Sequence, residues 1–434
     1  LVYPRTALVD DQATRINDIL DDCNLSDKIT VGRLHRGIQG EYRNKLRESR
    51  PQIFACTFPF INYHLITKSK IWEELIQPAK MLVMDESHSY TSYHGSNVHH
   101  LLKRMKKPDP KGNQMELQYI ASSATLHNPE EFFKTMFDLQ EEEIGLIQNE
   151  ERRERNLHEF FIMPLTVNQI TTMTKFVTEI ASRKAKGADR THQMIAFSDS
   201  HDNAEILAEN VVSDSKGKVT IKPHHSAIKD RRPIEQLFKR GGIDVLSCTP
   251  TLELGIDIGS VDMVITAFTN AHNKFVQRIG RAGREGQPAY GISVFNPKEP
   301  SSNYYSNNID EYLAQPHEVD IQTDNPRIIE LHKEAEPPQR GGKADYDGRF
   351  SIADAFPFTD TNKSVTFRVG GVNIASRPIP VGFYKLHPRA IFKNDLKSYR
   401  VESLHKEKVK KEEKWFADLK ESPDDKYKRT MYSE

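Results

Sequence analysis

A run of four apolar residues, Met81–Met84, leads directly into the two carboxylates Asp85 and Glu86. Such a run predicts a strand buried on both faces of a parallel sheet, and ligands of open α/β sheets bind at the carboxyl ends of the strands. The pair suits a nucleotide-bound Mg²⁺: Asp85 and Glu86 are the candidate metal residues, and Glu86 would also orient and deprotonate an attacking water. His88, on the turn that follows, could couple this site to the rest of the protein. Taken alone, the eight residues 81–88 are explained equally well as a strand followed by the acidic start of a solvated loop.

Composition narrows the class of protein without identifying it. The chain has 434 residues, enough for two or three domains, and its 61 Lys and Arg residues balance 61 Asp and Glu residues. Any nucleic-acid surface is therefore a local patch. Three widely spaced cysteines indicate reduced thiols and a cytoplasmic or nucleoid-associated protein, and no apolar run is long enough for a membrane span. Because the sequence begins in what resembles a strand, we expect a further segment upstream or on another chain.

Strands and helices alternate through most of the sequence, which predicts an α/β fold with two parallel-sheet domains. A strongly charged stretch, 140–155, indicates the boundary between a domain of residues 1–150 and one of residues 151–300. The composition then shifts to Pro- and Gly-rich turns, and residues 301–434 are predicted to form a smaller α+β accessory region. It includes antiparallel strands near 364–369 and 390–392 and a charged helical tail at 402–420.

The segment Gln277–Arg284 carries the strongest single signal. Arg278, Arg281 and Arg284 recur every three residues, so a helix over 274–284 would align them on one face. Glycine inside a helix costs about 1 kcal/mol relative to alanine, which close approach of a ligand to the backbone would explain. Three aligned guanidiniums suit a triphosphate, because planar forks bind phosphate oxygens bidentately. The alternative is an ordinary basic amphipathic helix.

Three other stretches carry hydroxyl or charged residues at predicted strand ends. Thr249 and Thr251 could bind nucleic-acid phosphate, and Asp257, in the Gly-Ile-Asp step at 255–257, could take a ribose hydroxyl. Small hydroxyl residues end a strand at 119–125, where they can bond to carboxylates at neighbouring strand ends. Thr6 could cap a helix from about Ala7, so that Arg5 and Thr6 lie beside helix-start amides suited to a phosphate. An ordinary capped helix explains this last stretch as well.

The order of these segments resembles superfamily 2 helicases, motors with two RecA-like domains. The resemblance rests on residues 3–8 (motif Ia), 85–88 (a DExH motif II), 123–125 (motif III), 197–203 (motif IV), 249–259 (motif V) and 277–284 (motif VI). Residues 93–98, 121–125, 252–259 and 386–391 further resemble the Lhr and MrfA/YprA branch of DNA helicases. Related motors occur in phage-defence systems.

The resemblance implies ATP-driven translocation, 3′ to 5′, on single-stranded or forked DNA, with ATP and Mg²⁺ as cofactors and a role in DNA repair or phage defence. The implied catalytic residues are Asp85, Glu86, His88, Gln277, Arg281 and Arg284. The implied cofactor-binding residues are Gly255, Asp257, Arg278, Ser123 and Thr125. The implied nucleic-acid-binding residues are Arg5, Thr6, Thr57, Ser226, Thr249 and Thr251.

Two departures from the family keep alternatives open. The Gly-rich phosphate loop with its lysine (motif I) is absent from the sequence, so this chain alone is expected to hydrolyse ATP poorly or not at all. The four-cysteine zinc cluster of MrfA-type relatives is absent too. An RNA helicase of the same architecture and a non-catalytic DNA-binding subunit both remain possible, as do further protein subunits as partners.

Overall fold

The computed structural model describes residues 1–35, 38, 40–108, 112, 114–124, 126, 128–147, 156–183, 193–228, 231–252, 259, 261–283, 287–314, 321–336, 364–378, 391–394, 397–409 and 412–422. The chain divides into two compact units. The first comprises Leu1–Asn149 and Pro316–Asn362, and the second comprises Glu150–Gln315 and Lys363–Glu434.

The first unit is built on a parallel sheet. Its strands are β1 (Val31–Leu34), β2 (Ile53–Cys56), β3 (Met81–Met84) and β4 (Gln118–Ala121). β1 pairs with β2, and β3 pairs with β4, both in parallel. Val2 lies between the two pairs, because it forms parallel bridges with both Cys56 and Met84. Asp85 therefore follows a strand with a parallel neighbour on each side. The predicted burial of this strand on both faces is wrong, because Leu82 and Met84 are buried but Met81 is 49% exposed.

Five helices follow the strands of this unit in the described residues. They are α1 (Thr6–Asp22), α2 (Gly40–Ser49), α3 (Phe58–Thr67), α4 (Ser92–Lys106) and α5 (Pro129–Phe137). The predicted cap on α1 is wrong: Arg5 occupies the N-cap position in extended conformation, and Thr6 is already helical. The helix begins one residue early, so the Thr6 hydroxyl is not placed to bond to the amides of the first turn.

The second unit contains a parallel sheet that is six-stranded in the described part of the chain. Its strands are β5 (Leu157–Ile162), β6 (Met194–Phe197), β7 (Ile221–His224), β8 (Val245–Cys248), β9 (Met263–Ala267) and β10 (Ala289–Val294). Their order is β5-β10-β9-β6-β8-β7. Every residue of the inner strands β6, β8 and β9 is buried, as continuous apolar runs predict for a sheet covered on both faces.

The helices of the second unit connect these strands and follow the last of them. They are α6 (Gln169–Ala181), α7 (His201–Asp214), α8 (Arg232–Lys239), α9 (His272–Ile279), α10 (Pro300–Asn307) and α11 (Ile309–Leu313). Ser200 caps α7, its hydroxyl accepting the Asn203 N–H at 3.2 Å.

After α11 the chain returns to the first unit, where α12 (Pro326–Glu334) packs on α4. Ile328 is fully buried there, and His332 Nε2 lies 3.1 Å from Asn97 Oδ1. The hydroxyl of Ser96, directly before Asn97 on α4, donates to the carbonyl of Gln322 at 2.5 Å. A segment far along the chain thus completes the core of the first unit.

The last part of the chain forms a second sheet in the second unit. Its strands are β11 (Ser364–Val369), β12 (Val372–Pro378), β13 (Ile391–Asn394), β14 (Lys397–Val409) and β15 (Glu412–Glu421), in the order β12-β11-β15-β14-β13. The strand predicted at 364–369 is confirmed, but the helical tail predicted at 402–420 is wrong. Val401, Ala417 and Leu419 alternate with charged residues and pack in one cluster with Phe367, which is a strand pattern. No helix among the described residues could cross a membrane.

Candidate functional site

The acidic strand end of the first unit is held by the neighbouring strand end. Asp85 Oδ1 accepts the Ser122 hydroxyl at 2.5 Å and the Glu86 N–H at 2.9 Å. The Ser87 N–H donates to the carbonyl of Ser122 at 2.9 Å. The turn after β3 is therefore fixed to the turn after β4, as predicted for hydroxyl residues at adjacent strand ends. Burial and the nearby Asp85 carboxylate raise the pKa of Tyr3 to about 12.

Glu86 has a backbone conformation that non-glycine residues rarely adopt. Its φ of 50° and ψ of 46° lie in the left-handed region, and such residues cluster at active sites where the surrounding contacts hold them. Its carboxylate lies 3.5 Å from Nε2 of the buried His88, whose Nδ1 lies 3.0 Å from the Ser123 hydroxyl. Contacts on both sides thus align Glu86 and His88 with the end of β4.

The donor set at this strand end fits Mg²⁺. Asp85 Oδ2 has no hydrogen-bond partner among the described residues, so it is available to an ion or an ion-bound water. Mg²⁺ prefers oxygen ligands, keeps several of its waters, and is commonly held by one or two carboxylates together with substrate phosphates. The described residues contain no group of three or more metal-ligating side chains.

The predicted nucleic-acid residues of the first unit lie at the same edge of its sheet. Arg5 and Thr6 follow the segment that pairs with both β2 and β3, and Thr57 follows β2 directly. Thr57 is buried at the N-cap position of α3, whereas Thr6 is exposed. Of these three, Thr6 and Arg5 are the more accessible to a ligand.

The structure corrects the helix predicted for the arginine-rich segment. α9 ends at Ile279, so Arg281 lies in the turn that follows and does not share a helical face with Arg278. Gly283 has a φ of +68°, and a Cβ there would lie 2.8 Å from the Cβ of Ala289. The sequence pattern places Gly280 and Gly283 inside a helix. In the structure, Gly283 lies instead in a tight turn that packs against β10.

Arg278 is packed within its own unit. Its side chain is 2% exposed, and Nη1 donates to the Thr266 hydroxyl at 3.0 Å and to the Ala267 carbonyl at 3.1 Å. Asp199 lies 3.6 Å away, and the guanidinium carbon is 5.5 Å from the centre of the Phe197 ring. Arg278 is thus held by contacts within its own unit, and its predicted contact with a triphosphate stays a prediction. Gln277, on the same helix, is partly exposed, and Arg281 is buried.

Two predicted nucleic-acid residues of the second unit lie at the carboxyl ends of β7 and β8. Ser226 is exposed two residues after β7, and Thr249 is buried directly after β8. The two strands are neighbours in the sheet, and the Thr249 N–H donates to the carbonyl of His224 at 3.3 Å. The remaining predicted site residues lie outside the described positions: Thr125, Gly255, Asp257, Arg284 and the side chain of Thr251.

Comparison with known proteins decides the family. The DEAD/DEAH box helicase family model matches residues 1–132, and the helicase conserved C-terminal domain model matches residues 173–286. An uncharacterized ATP-dependent helicase of Methanocaldococcus jannaschii, MJ1574, is 27% identical over 319 residues, which cover 72% of this chain and 44% of the relative. The chain belongs to the superfamily 2 helicases, in the Lhr and MrfA branch.

Two solved superfamily 2 structures share the fold. The crystal structure of the DUF1998 helicase MrfA bound to DNA and AMPPNP has a TM-score of 0.77 at 20% identity, covering 96% of this chain and 63% of that one. The Mycobacterium smegmatis helicase Lhr bound to ssDNA and AMP-PNP has a TM-score of 0.61 at 18% identity, covering 81% and 47%. The fold is therefore α/β with tandem RecA-like domains. The chain spans less than two thirds of the length of each of these three relatives.

Sequence reasoning missed two residues of this superfamily 2 chain that the structure places beside predicted site residues. The Ser122 hydroxyl donates directly to Asp85, although the family resemblance implies a binding role only for its neighbour Ser123. The signal was available, because Ser122 belongs to the same hydroxyl run at the end of β4. His201 lies 3.1 Å from the Ser226 hydroxyl but is 25 positions away in the sequence. No local pattern marks that contact.

Proposed function

We propose that this superfamily 2 helicase chain uses ATP hydrolysis to move along single-stranded DNA, with Mg²⁺ as the accompanying ion. The observation that carries the proposal is the pair of contacts between the turns after β3 and β4. Asp85 is held by Ser122 and His88 by Ser123, so a change at the acidic strand end is transmitted to the next strand end. This is the arrangement a nucleotide-sensing turn requires.

In this proposal Asp85 binds the ion, which neutralises charge on the phosphates when it is present. Glu86 takes a proton from the attacking water, and the neighbouring imidazole of His88 keeps its carboxylate oriented. The strained backbone of Glu86 fixes the direction of that carboxylate before substrate binds. These roles need no movement of the residues described here.

Residues of the second unit complete the proposed chemistry. Arg281 and Arg284 would stabilise the charge that develops on the terminal phosphate, and Gln277 would sense it. Arg278 has a supporting role, since its burial fixes the start of this turn against β9. Changes in nucleotide state would then alter how each RecA-like domain holds the nucleic-acid backbone.

For the substrate, we propose single-stranded or forked DNA with 3′-to-5′ movement, and DNA repair or phage defence as the setting. MrfA and Lhr are described as bound to DNA or ssDNA, and that chemistry supports the choice. Backbone contacts of this kind are independent of sequence and sensitive to salt. We assign the RecA-like domains to residues 1–150 and 151–300 and an accessory role to residues 301–434.

The test is Glu86→Gln in the natural polypeptide, compared with the unsubstituted protein. We expect ATP binding within about twofold of the parent and DNA-stimulated turnover reduced by at least about 100-fold, because removal of a positioned base costs that order of rate. Turnover at the parental rate would refute the role of Glu86. Stimulation by single-stranded RNA that equals or exceeds stimulation by DNA would refute the choice of DNA while leaving the motor intact.

A further inference from the structure

A chain of side-chain contacts lies at the carboxyl edge of the second unit's main sheet, in the turns after β6 and β7. His201 is the first residue of α7, and its Nε2 lies 3.1 Å from the hydroxyl of Ser226. The His201 ring stacks on the ring of His225, with centroids 4.6 Å apart and planes 18° from parallel. The exposed Ser226 is thus connected, through His201, to a residue of the interior.

The inner end of this chain is a buried acid–imidazole pair. Glu205 is 0% exposed, His225 is 1% exposed, and His225 Nε2 lies 2.7 Å from Glu205 Oε1. A carboxylate removed from water needs a hydrogen-bond donor, which the His225 N–H supplies. Glu205 is also one helical turn after His201 on α7, so both residues lie on the same face of the helix. The pair fixes the ring of His225, and the ring of His225 supports that of His201.

We propose that His201 is a positioning residue for nucleic-acid binding: it orients the Ser226 hydroxyl toward a phosphate of the bound strand. When His201 Nε2–H donates to the serine oxygen, the serine proton is directed away from the imidazole. The hydroxyl can then donate to a phosphate oxygen from an exposed position. Without His201, the hydroxyl rotates freely, and part of the binding energy is spent on ordering it. This inference rests on the nucleic-acid binding proposed above and assigns one residue to it.

The experiment measures equilibrium affinity for a fluorescent single-stranded oligonucleotide at fixed salt, using the whole chain. Ser226→Ala should weaken binding about ten- to 100-fold, the range for one hydrogen bond to a charged phosphate. His201→Phe keeps a ring to stack on His225 but has no donor, so it should weaken binding by the same factor. His201→Gln restores a donor near the Nε2 position and should recover most of the affinity.

The double variant separates positioning from an independent contact. If His201 acts through Ser226, His201→Phe combined with Ser226→Ala should bind no more weakly than either single variant. Multiplied losses, or parental affinity for His201→Phe beside a weakened Ser226→Ala, would overturn the proposal. His158→Phe is the matched control, because His158 is an exposed histidine stacked on Tyr290 elsewhere in this unit. It should bind as the parent does.

The outcomes also distinguish this inference from the proposed function. A parent chain that fails to bind single-stranded nucleic acid contradicts the proposed function itself. A parent chain that binds, with every variant equal to it, retains that function and refutes the role of His201. Thermal melting of each variant within about 2 °C of the parent excludes loss of fold as the cause.

Discussion

Arg278 provides the most direct test of the structure, because burial and sequence pattern give it different roles. Arg278→Ala removes two hydrogen bonds from a charged donor, to Thr266 and Ala267, each worth at least about 1.5 kcal/mol. It also removes two buried methylene groups, worth about 0.8 kcal/mol each. Relief from burying a guanidinium offsets part of this loss, since desolvation of an ion costs several kcal/mol.

The net result is a loss of about 3 kcal/mol in the free energy of unfolding, within the usual range for breaking a buried charged network. For a unit of this size that corresponds to a fall in melting temperature of roughly 6–12 °C. Urea titration followed by circular dichroism, with calorimetry on the same samples, measures both. Since Asp199 is half-exposed, it rehydrates after the substitution and adds little to the cost.

The opposite outcome would refute a structural role for Arg278. If Arg278 faces a bound triphosphate, Arg278→Ala keeps the parental melting temperature and loses nucleotide affinity. Arg278→Lys tests the same point by reach, because both contacts are made by Nη1, which lies one bond farther from the backbone than a lysine ammonium does. We expect it to recover less than half of the lost stability.

Two further expectations concern stability. Burial lowers the pKa of His64 to about 4 and that of His332 to about 2, so both rings are neutral in the fold, whereas in the unfolded chain they titrate near 6.5. Their contribution is complete above pH 6.5 and is lost as the pH falls toward the folded values, at about 1.4 kcal/mol each by pH 5.5. Urea midpoints at pH 7.5, 6.5 and 5.5 check this, and a constant midpoint contradicts it. Gly283→Ala should cost about 1–3 kcal/mol, because it combines a φ of +68° with a Cβ 2.8 Å from Ala289. The matched Gly145→Ala meets nothing within 4 Å, so equal melting temperatures for the two variants would contradict the reasoning.

The parts of the fold that the sequence predicts well are those in which local pattern and environment agree. β6 is a continuous apolar run followed by polar residues, and buried parallel strands have that composition. The α7 cap was predictable for a similar reason, because Ser200 acts on an amide only three residues away.

The errors arise where distant contacts override a local signal. In β14 and β15 the many lysines and glutamates suggested a solvated helix, whereas the alternation of Val401, Ala417 and Leu419 places one face in a core. Arg278 and Arg281 have a helical spacing, but the helix ends at Ile279 with Gly280 as its C-cap, and Arg281 lies in the turn that leads to Gly283. Spacing alone cannot show that a turn intervenes.

The residues of the candidate site also fall into two groups, those that a local sequence pattern predicts and those that depend on distant contacts. Asp85 follows its strand directly, and the structure places it beside the hydroxyl run that the sequence also marks. The contacts of His201 with Ser226 and of Glu205 with His225 join segments 20 to 25 positions apart. They depend on how α7 packs against the turn after β7, and no local pattern contains that information.

The packing of α12 on α4 has a consequence for biosynthesis. His332 and Asn97 are 235 positions apart, so Asn97 on α4 can contact His332 only after most of the polypeptide has been made. Until then Ile328 cannot cover the surface of the amino-terminal unit, and a nascent chain released early exposes apolar area that favours aggregation. Ribosome pausing before this helix emerges should therefore lower the yield of folded protein more than pausing after it.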